Sequence, residues 1–183
     1  GADENPEDRK RFLGIIHNHA NRLKAIIEDL LSLSCIEIDE GSSLDFIEVK
    51  LKPVIERAIQ MCEPQAKKKK LNIILNCSPD IKLKLNSPLI EQALINLLGN
   101  AIKYSPEKAS IHCVVAVNED VQICISDEGQ GIAKDHLPKL FQRFYRVDKA
   151  RSRKEGGTGL GLAIVKHIAQ VHQGSVSVSS TIG

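Results

Sequence analysis

Between Phe12 and Leu33 one line of residues returns at steps of 4, 3, 4, 3, 4 and 3: Phe12, Ile16, His19, Leu23, Ile26, Leu30, Leu33. All but His19 are apolar. That is heptad spacing, the signature of a helix whose seam faces other helices in a coiled coil or a four-helix bundle. Leu13, Ala20 and Ile27 form a second stripe that widens the same face. A single helix cannot bury such a face against itself, so the pattern demands partners. The spacing predicts one long helix from Pro6 to about residue 38. Asp39-Glu40-Gly41-Ser42-Ser43 ends it and acts as a linker.

From Leu44 the heptad gives way to short alternating segments. Strands are predicted at 44–50, 71–77, 81–85, 110–117, 121–127 and 175–180. A helix opens at Pro53 with Val54, Ala58, Ile59, Cys62 and Ala66 on one face. Ser87-Pro88 caps and starts a second, running through Leu94, Leu97, Leu98 and Ile102, and a third covers 159–171. Asn118-Glu119-Asp120 joins two strands as a hairpin. Residues 128–158 form a long, Gly-rich and basic loop with a short helix at 137–144, and so long a loop in a compact domain has a functional reason. The order is α+β, a mixed sheet with helices packed on one face. The chain divides at the linker, into 6–40 and 44–183.

The hydrophobic share of 42% supports a core, and the aromatic share of 3%, with no Trp, makes that core aliphatic. A net charge of +2 argues neither for nor against a nucleic-acid partner, the basic excess being local to Lys67–Lys70 and to the stretch 139–154. The Lys67–Lys70 run reads as the solvated, dipole-favoured end of a helix. Five cysteines, an odd number with no C-x-x-C pair and no His pair at zinc spacing, read as reduced and buried thiols of a cytosolic protein. No apolar run reaches the length of a membrane span.

Three short patterns carry chemistry. In Asn96-Leu-Leu-Gly-Asn100-Ala-Ile-Lys103-Tyr104, the residues at i, i+4, i+7 and i+8 put two amides, an amine and a phenol along one helical stripe, opposite a Leu-rich face. A carboxamide oxygen can ligate Mg²⁺, and a lysine supplies a point charge for polyphosphate. Alone, this stripe reads better as the solvated side of an amphipathic helix. Asp127-Glu-Gly129-Gln-Gly131 follows an apolar strand, so a carboxylate stands ready to accept an N–H while glycines let the backbone approach a flat ligand. Alone, it is also an ordinary glycine turn. Gly156-Gly157-Thr158-Gly159-Leu160-Gly161 opens a helix, where free N–H groups cradle phosphate. It is neither a P-loop, since no G-K-[ST] occurs, nor a Rossmann fingerprint, since the third glycine position is Leu162 and no strand precedes it. A flexible hinge is its bland reading.

Taken together, in this order and about thirty residues apart, the three patterns resemble the N, G1 and G2 boxes of the histidine kinase and gyrase superfamily. Leu140-Phe-Gln-Arg-Phe-Tyr-Arg-Val-Asp148 between them looks like its F box. The resemblance spans about 44–183 and implies a Bergerat-type two-layer α/β sandwich that binds ATP. Superfamily ATPases carry a glutamate, the base that activates water, where this chain has Asn96; an amide cannot take that proton. The run from Gln92 to Pro106 is very similar to sensor histidine kinases, and Asn21 to Ser34 followed by Ile36-Glu37 looks like the second helix of their dimerisation and phosphoacceptor hairpin.

The resemblance implies roles. Asn100 would ligate Mg²⁺, Asn96 would support the metal–phosphate unit and Lys103 would contact phosphate. Tyr104 would border the nucleotide, Asp127 would take the adenine amino group, and Gly129 and Gly131 would shape the base pocket. Gly157, Thr158, Gly159, Leu160 and Gly161 would wrap the phosphates under a lid at 132–158. Arg143, Arg146 and the run Lys149–Lys154 are candidates for phosphate contact or for docking the acceptor helix, with plain surface roles as the alternative. The implied partners are ATP, a second copy through the N-terminal helix, and a response-regulator receiver domain. The implied location is cytoplasmic, any membrane anchor lying in a longer parent.

The resemblance also implies a missing piece. The family's acceptor motif, similar to H-E-L-R-T-P, is not found, and His17 and His19 fall where the family's second helix packs rather than reacts. One hairpin helix before and one strand after are expected outside this chain, which would then hold the donor half of a phosphotransfer. The competing expectations are a Bergerat ATPase acting as a conformational clamp and a non-catalytic dimerisation module.

Overall fold

The computed structural model describes residues 6–38, 44–147 and 157–182. The first element, α1, is the long helix Pro6–Ile38. Beyond the linker the elements run β1 Ile47–Lys50, α2 Leu51–Lys68, β2 Asn72–Asn76, β3 Lys82–Leu85, α3 Ser87–Tyr104, β4 Ser110–Val117, β5 Val121–Ser126, a 3-10 turn at Lys134–Lys139, and α4 Gly161–Val171. The fold is α+β, as the sequence predicts.

The strands form two sheets. β1 pairs antiparallel with β3, Ile47 facing Leu85 and Lys50 facing Lys82. β2 lies parallel to β4, and β4 antiparallel to β5, giving the order β2-β4-β5. The hairpin is closed by Asn118 donating its N–H to the Asp120 carbonyl, 3.0 Å. Along β4, Ile111 and Cys113 are buried while His112 and Val114 are exposed, the alternation of a sheet covered on one face.

Two cores fill the space beside the sheet. In the first, Leu51, Ile55, Ala58 and Cys62 of α2 meet Leu94, Leu98, Ala101 and Ile102 of α3 and Ile111 and Cys113 of β4. In the second, Leu33 and Ile36 of α1 meet Ala93 of α3 and Leu160, Ile164, Val165 and Ile168 around α4. α3 therefore lies between both cores and has one narrow stripe left for anything else. That stripe carries Asn96, Asn100 and Lys103.

Several boundaries differ from the sequence expectation. α2 starts at Leu51, with Pro53 inside its first turn, where a missing N–H is harmless. The cap of α3 is Asn86 rather than Ser87: its side chain accepts from the Leu89 N–H at 3.1 Å. In place of the short helix expected at 137–144 there is the 3-10 turn at Lys134–Lys139, which contains Pro138. No strand forms at 175–180, where Val176 packs against the second core and Ser180 is engaged by a side-chain bond rather than a ladder. The linker at 39–43 lies outside the described residues.

Candidate nucleotide site

The motifs, separated by 30 residues or so in the chain, converge around the polar stripe of α3. Gly161, at the start of α4, faces Asn96: a methyl group on it would stand 2.9 Å from Asn96 Oδ1. Gly157 faces Lys103 in the same way, 3.0 Å from Nζ. A methyl group on Gly129 would stand 3.2 Å from the Tyr104 carbonyl oxygen. Gly159 lies on the backbone of Phe144, which donates its N–H to the Gly159 carbonyl at 2.9 Å. The amide helix thus touches both glycine loops, and the F-box segment touches the second. Gly159 sits at φ +79°, and a methyl there would meet Phe144 at 3.0 Å, so this position is closed to a side chain by conformation and by space together.

Each predicted residue has a definite place. Asn96, Asn100 and Lys103 are half-buried, and Tyr104 is exposed with Lys103 Nζ 5.3 Å from its ring centre. Asp127 is exposed just past the end of β5, and its Oδ1 accepts from the Gly129 N–H at 2.8 Å, which orients the carboxylate. Gly131, at φ +74°, is packed against the Thr181 carbonyl, and the neighbouring Ile132 N–H donates to Ser180 Oγ at 2.9 Å. Thr158 is half-buried; its hydroxyl accepts from the Leu160 N–H at 3.2 Å. The Leu160 side chain is fully buried in the second core, so only its backbone belongs to the site.

The two arginines part company. Arg146 is half-buried beside the glycine loop, its side chain near both Gly157 and Gly159. Arg143 is exposed and lines a separate cleft of about 190 Å³ with Leu33, Phe141, Lys166 and His167, between α1 and α4. Within the lid, His136 Nδ1 and the Tyr145 hydroxyl share a hydrogen bond of 2.6 Å. The run Lys149–Lys154 and the remainder of the lid at 148–156 lie outside the described residues.

Sequence reasoning missed two residues here. Asp29 of α1 accepts a 2.6 Å hydrogen bond from the Thr158 hydroxyl, across 129 positions of chain, and no local pattern announces such a pair. Lys69 belongs to the run read as a solvated helix end. Lys67, Lys68 and Lys70 are indeed exposed, but Lys69 is half-buried and bonded to the end of α3.

Residues 86–183 match the family described as histidine kinase-, DNA gyrase B-, and HSP90-like ATPase. The chain belongs to that family. The sensor histidine kinase WalK of Bacillus subtilis is 38% identical over 189 residues, covering all of this chain and 30% of WalK. The sensor-like histidine kinase SenX3 of Mycolicibacterium smegmatis is 35% identical over 182 residues, covering 98% of this chain and 47% of SenX3. The chain therefore spans less than half the length of these relatives. Among solved structures, the histidine kinase AdeS of Acinetobacter baumannii aligns over 97% of this chain and 80% of its own, at 28% identity and a TM-score of 0.72. Full-length ShkA in complex with AMPPNP aligns over 98% of this chain and 37% of its own, at TM-score 0.75; at 23% identity it speaks for the fold. Within the superfamily, this is a histidine kinase ATP-binding catalytic domain.

Proposed function

We propose that this chain is the donor half of a protein-histidine kinase: it binds Mg²⁺-ATP and passes the γ-phosphoryl group to a histidine outside this chain, for relay to a response-regulator aspartate. The observation that carries the reading is Asn96. It stands on the amide helix facing Gly161 of the glycine-rich loop, and its amide cannot act as the base that would spend ATP on water. With hydrolysis suppressed, phosphoryl transfer rests on positioning and charge neutralisation.

The residues fit that task. Among the described residues no group of three His, Cys, Asp or Glu side chains could hold a metal by itself. A hard cation at this site would be held by Asn100, supported by Asn96, and by phosphate oxygens, as suits Mg²⁺, which keeps several waters. Bound there, it would neutralise charge on the phosphates. Lys103 and Arg146 both reach the glycine loop and would hold the phosphates, while Gly157, Thr158, Gly159, Leu160 and Gly161 offer backbone. Asp127, Gly129, Gly131 and Tyr104 would frame the base.

The rest of the reading concerns partners. Exposed apolar residues on α1, Leu23 and Leu30 of the heptad line among them, favour a homodimer through this helix. His17 and His19 are both exposed, His17 sharing a 2.9 Å bond with Asn21, and neither carries the acceptor role in this reading. Among the described residues no helix is long and apolar enough to cross a membrane. The proposed setting is the cytoplasm, with any anchor in a longer parent.

The test is reconstitution. The chain, Mg²⁺-ATP and a separate helical hairpin bearing an acceptor histidine are mixed, and phosphate is followed. Phosphate on the hairpin, with little ATP turnover in its absence, is the expected result. Steady hydrolysis without any acceptor sinks the argument at Asn96 and favours a clamp ATPase. Asp127→Asn should abolish nucleotide binding with the fold intact; retained affinity refutes the base assignment.

A further inference from the structure

The last turn of α3 holds Lys103 and Tyr104, and it ends with carbonyls that the helix itself cannot satisfy. The carbonyls of Ile102, Lys103 and Ser105 all accept from one ammonium, Lys69 Nζ, at 2.9, 2.7 and 3.2 Å. The fourth of the series, that of Tyr104, is the one that lies against Gly129 in the base-side loop. Lys69 also fixes the chain that follows: its own carbonyl accepts from the Lys108 N–H at 3.1 Å, on the far side of the turn into β4. One residue at the end of α2 therefore grips α3 and its exit by side chain and main chain together.

The chemistry suits lysine. Its ammonium carries three donors on one point, matching three convergent carbonyls, and a cation is favoured at a helix C-terminus. It also sits across 33 to 36 positions of chain from its acceptors, so the grip is tertiary and not part of the local helix end. Lys103 and Tyr104 reach the two glycine loops from the turn so held, and any drift of that turn moves the phosphate side and the base side at once.

We propose that Lys69 is a positioning residue of the nucleotide site, holding the end of α3 so that Lys103 and the Tyr104–Gly129 contact are in register for the nucleotide. The inference rests on the nucleotide-site reading given above. Lys69 acts through α3 and touches no ligand itself.

The experiment is calorimetric titration of the full chain with the Mg²⁺ complex of a non-hydrolysable ATP analogue, well below the melting temperature, with folding checked by circular dichroism. Lys69→Met should weaken binding about tenfold or more, as small misplacements in a preorganised site do. Lys69→Arg, which keeps the charge and can reach carbonyls, should recover most of the affinity. Lys68→Met, at an exposed neighbour, should bind as the unaltered chain does. A folded Lys69→Met chain with unaltered affinity overturns the proposal, even if its melting temperature falls, because a purely structural cap predicts that outcome. If the Met variant does not fold, Lys69→Gln, too short to reach all three carbonyls, stands in for it under the same two outcomes. An unaltered chain that binds no nucleotide overturns the site reading and this inference with it; binding unaffected by Lys69 variants overturns this inference alone.

Discussion

α1 and α3 are both long helices with apolar faces, and they end in opposite situations. α3 puts Leu94, Leu98, Ala101 and Ile102 into one core and Ala93 into the other. α1 buries Leu33 and Ile36 at its C-terminal end, while Phe12, Leu13, Ile16, Leu23, Ile27, Leu30 and Leu31 remain 40–62% exposed. Periodicity makes each of them a helix, but a neighbour is needed to make either of them part of a core. α3 has neighbours on two sides within the chain. Among the described residues α1 packs chiefly against α4, toward its own C-terminal end. The contrast marks where this molecule is self-sufficient and where it asks for another helix.

The largest expected difference lies in the cores of the two helices. Leu98→Ala should destabilise the chain by about 2–5 kcal/mol in denaturant melts, the range for a large-to-small change in a closed core. Leu23→Ala, in dilute solution, should stay within about 0.5 kcal/mol of the unaltered chain, while weakening self-association measured by sedimentation. Similar losses at both sites would break the comparison.

A second prediction tests the loop that α3 faces. Gly159→Ala should lower stability by about 1–3 kcal/mol, since a side chain must adopt positive φ there, and should weaken nucleotide binding because Phe144 has to move away from the loop. Unchanged melting would mean that this contact is dispensable. Smaller still is the effect at the polar tie between Asp29 of α1 and Thr158. Asp29→Ala removes the Thr158 bond and should cost about 1 kcal/mol, sharpening the view that only the C-terminal part of α1 is attached to the catalytic domain. A loss equal to that of Leu98→Ala would contradict it.

The smallest effect is chemical. Burial, with Cys77 and Cys124 nearby, pushes the Cys113 thiol up to about 11. Its thiolate, the reactive form, is therefore scarce at ordinary pH, and its labelling should rise only as pH approaches that value. The exposed Cys124 should be alkylated first, as peptide mass spectrometry can show. Equal labelling at neutral pH would mean that the sheet face against α2 and α3 is open.

Much of the site was legible because its chemistry is local. Asn96, Asn100 and Lys103 share a stripe by helical spacing alone, Asp127 and Gly129 are two residues apart and bonded to each other, and a glycine-rich helix start exposes its own N–H groups. Asp29 and Lys69 were not legible, since each acts on a partner far along the chain and neither lies in a distinctive pattern. Lys69 was hidden by its company, one half-buried lysine in a run of four whose other members are solvated. The strand expected at 175–180 failed for a related reason: alternation of Val and Ser marks a segment suited to a sheet but does not supply the paired edge that makes it a strand.

By itself the sequence determined the long helix at 6–38, the α+β order of elements and the groups proposed to meet a nucleotide. These follow from periodicity and from the fixed capacities of amides, amines and glycines. Tertiary structure decided which of those groups face one another. Asn96 meets Gly161, Lys103 meets Gly157 and Lys69 holds the end of α3 because two cores lock α3 on both sides. Burying the apolar faces leaves α3 a single orientation, and the polar stripe takes the direction that remains.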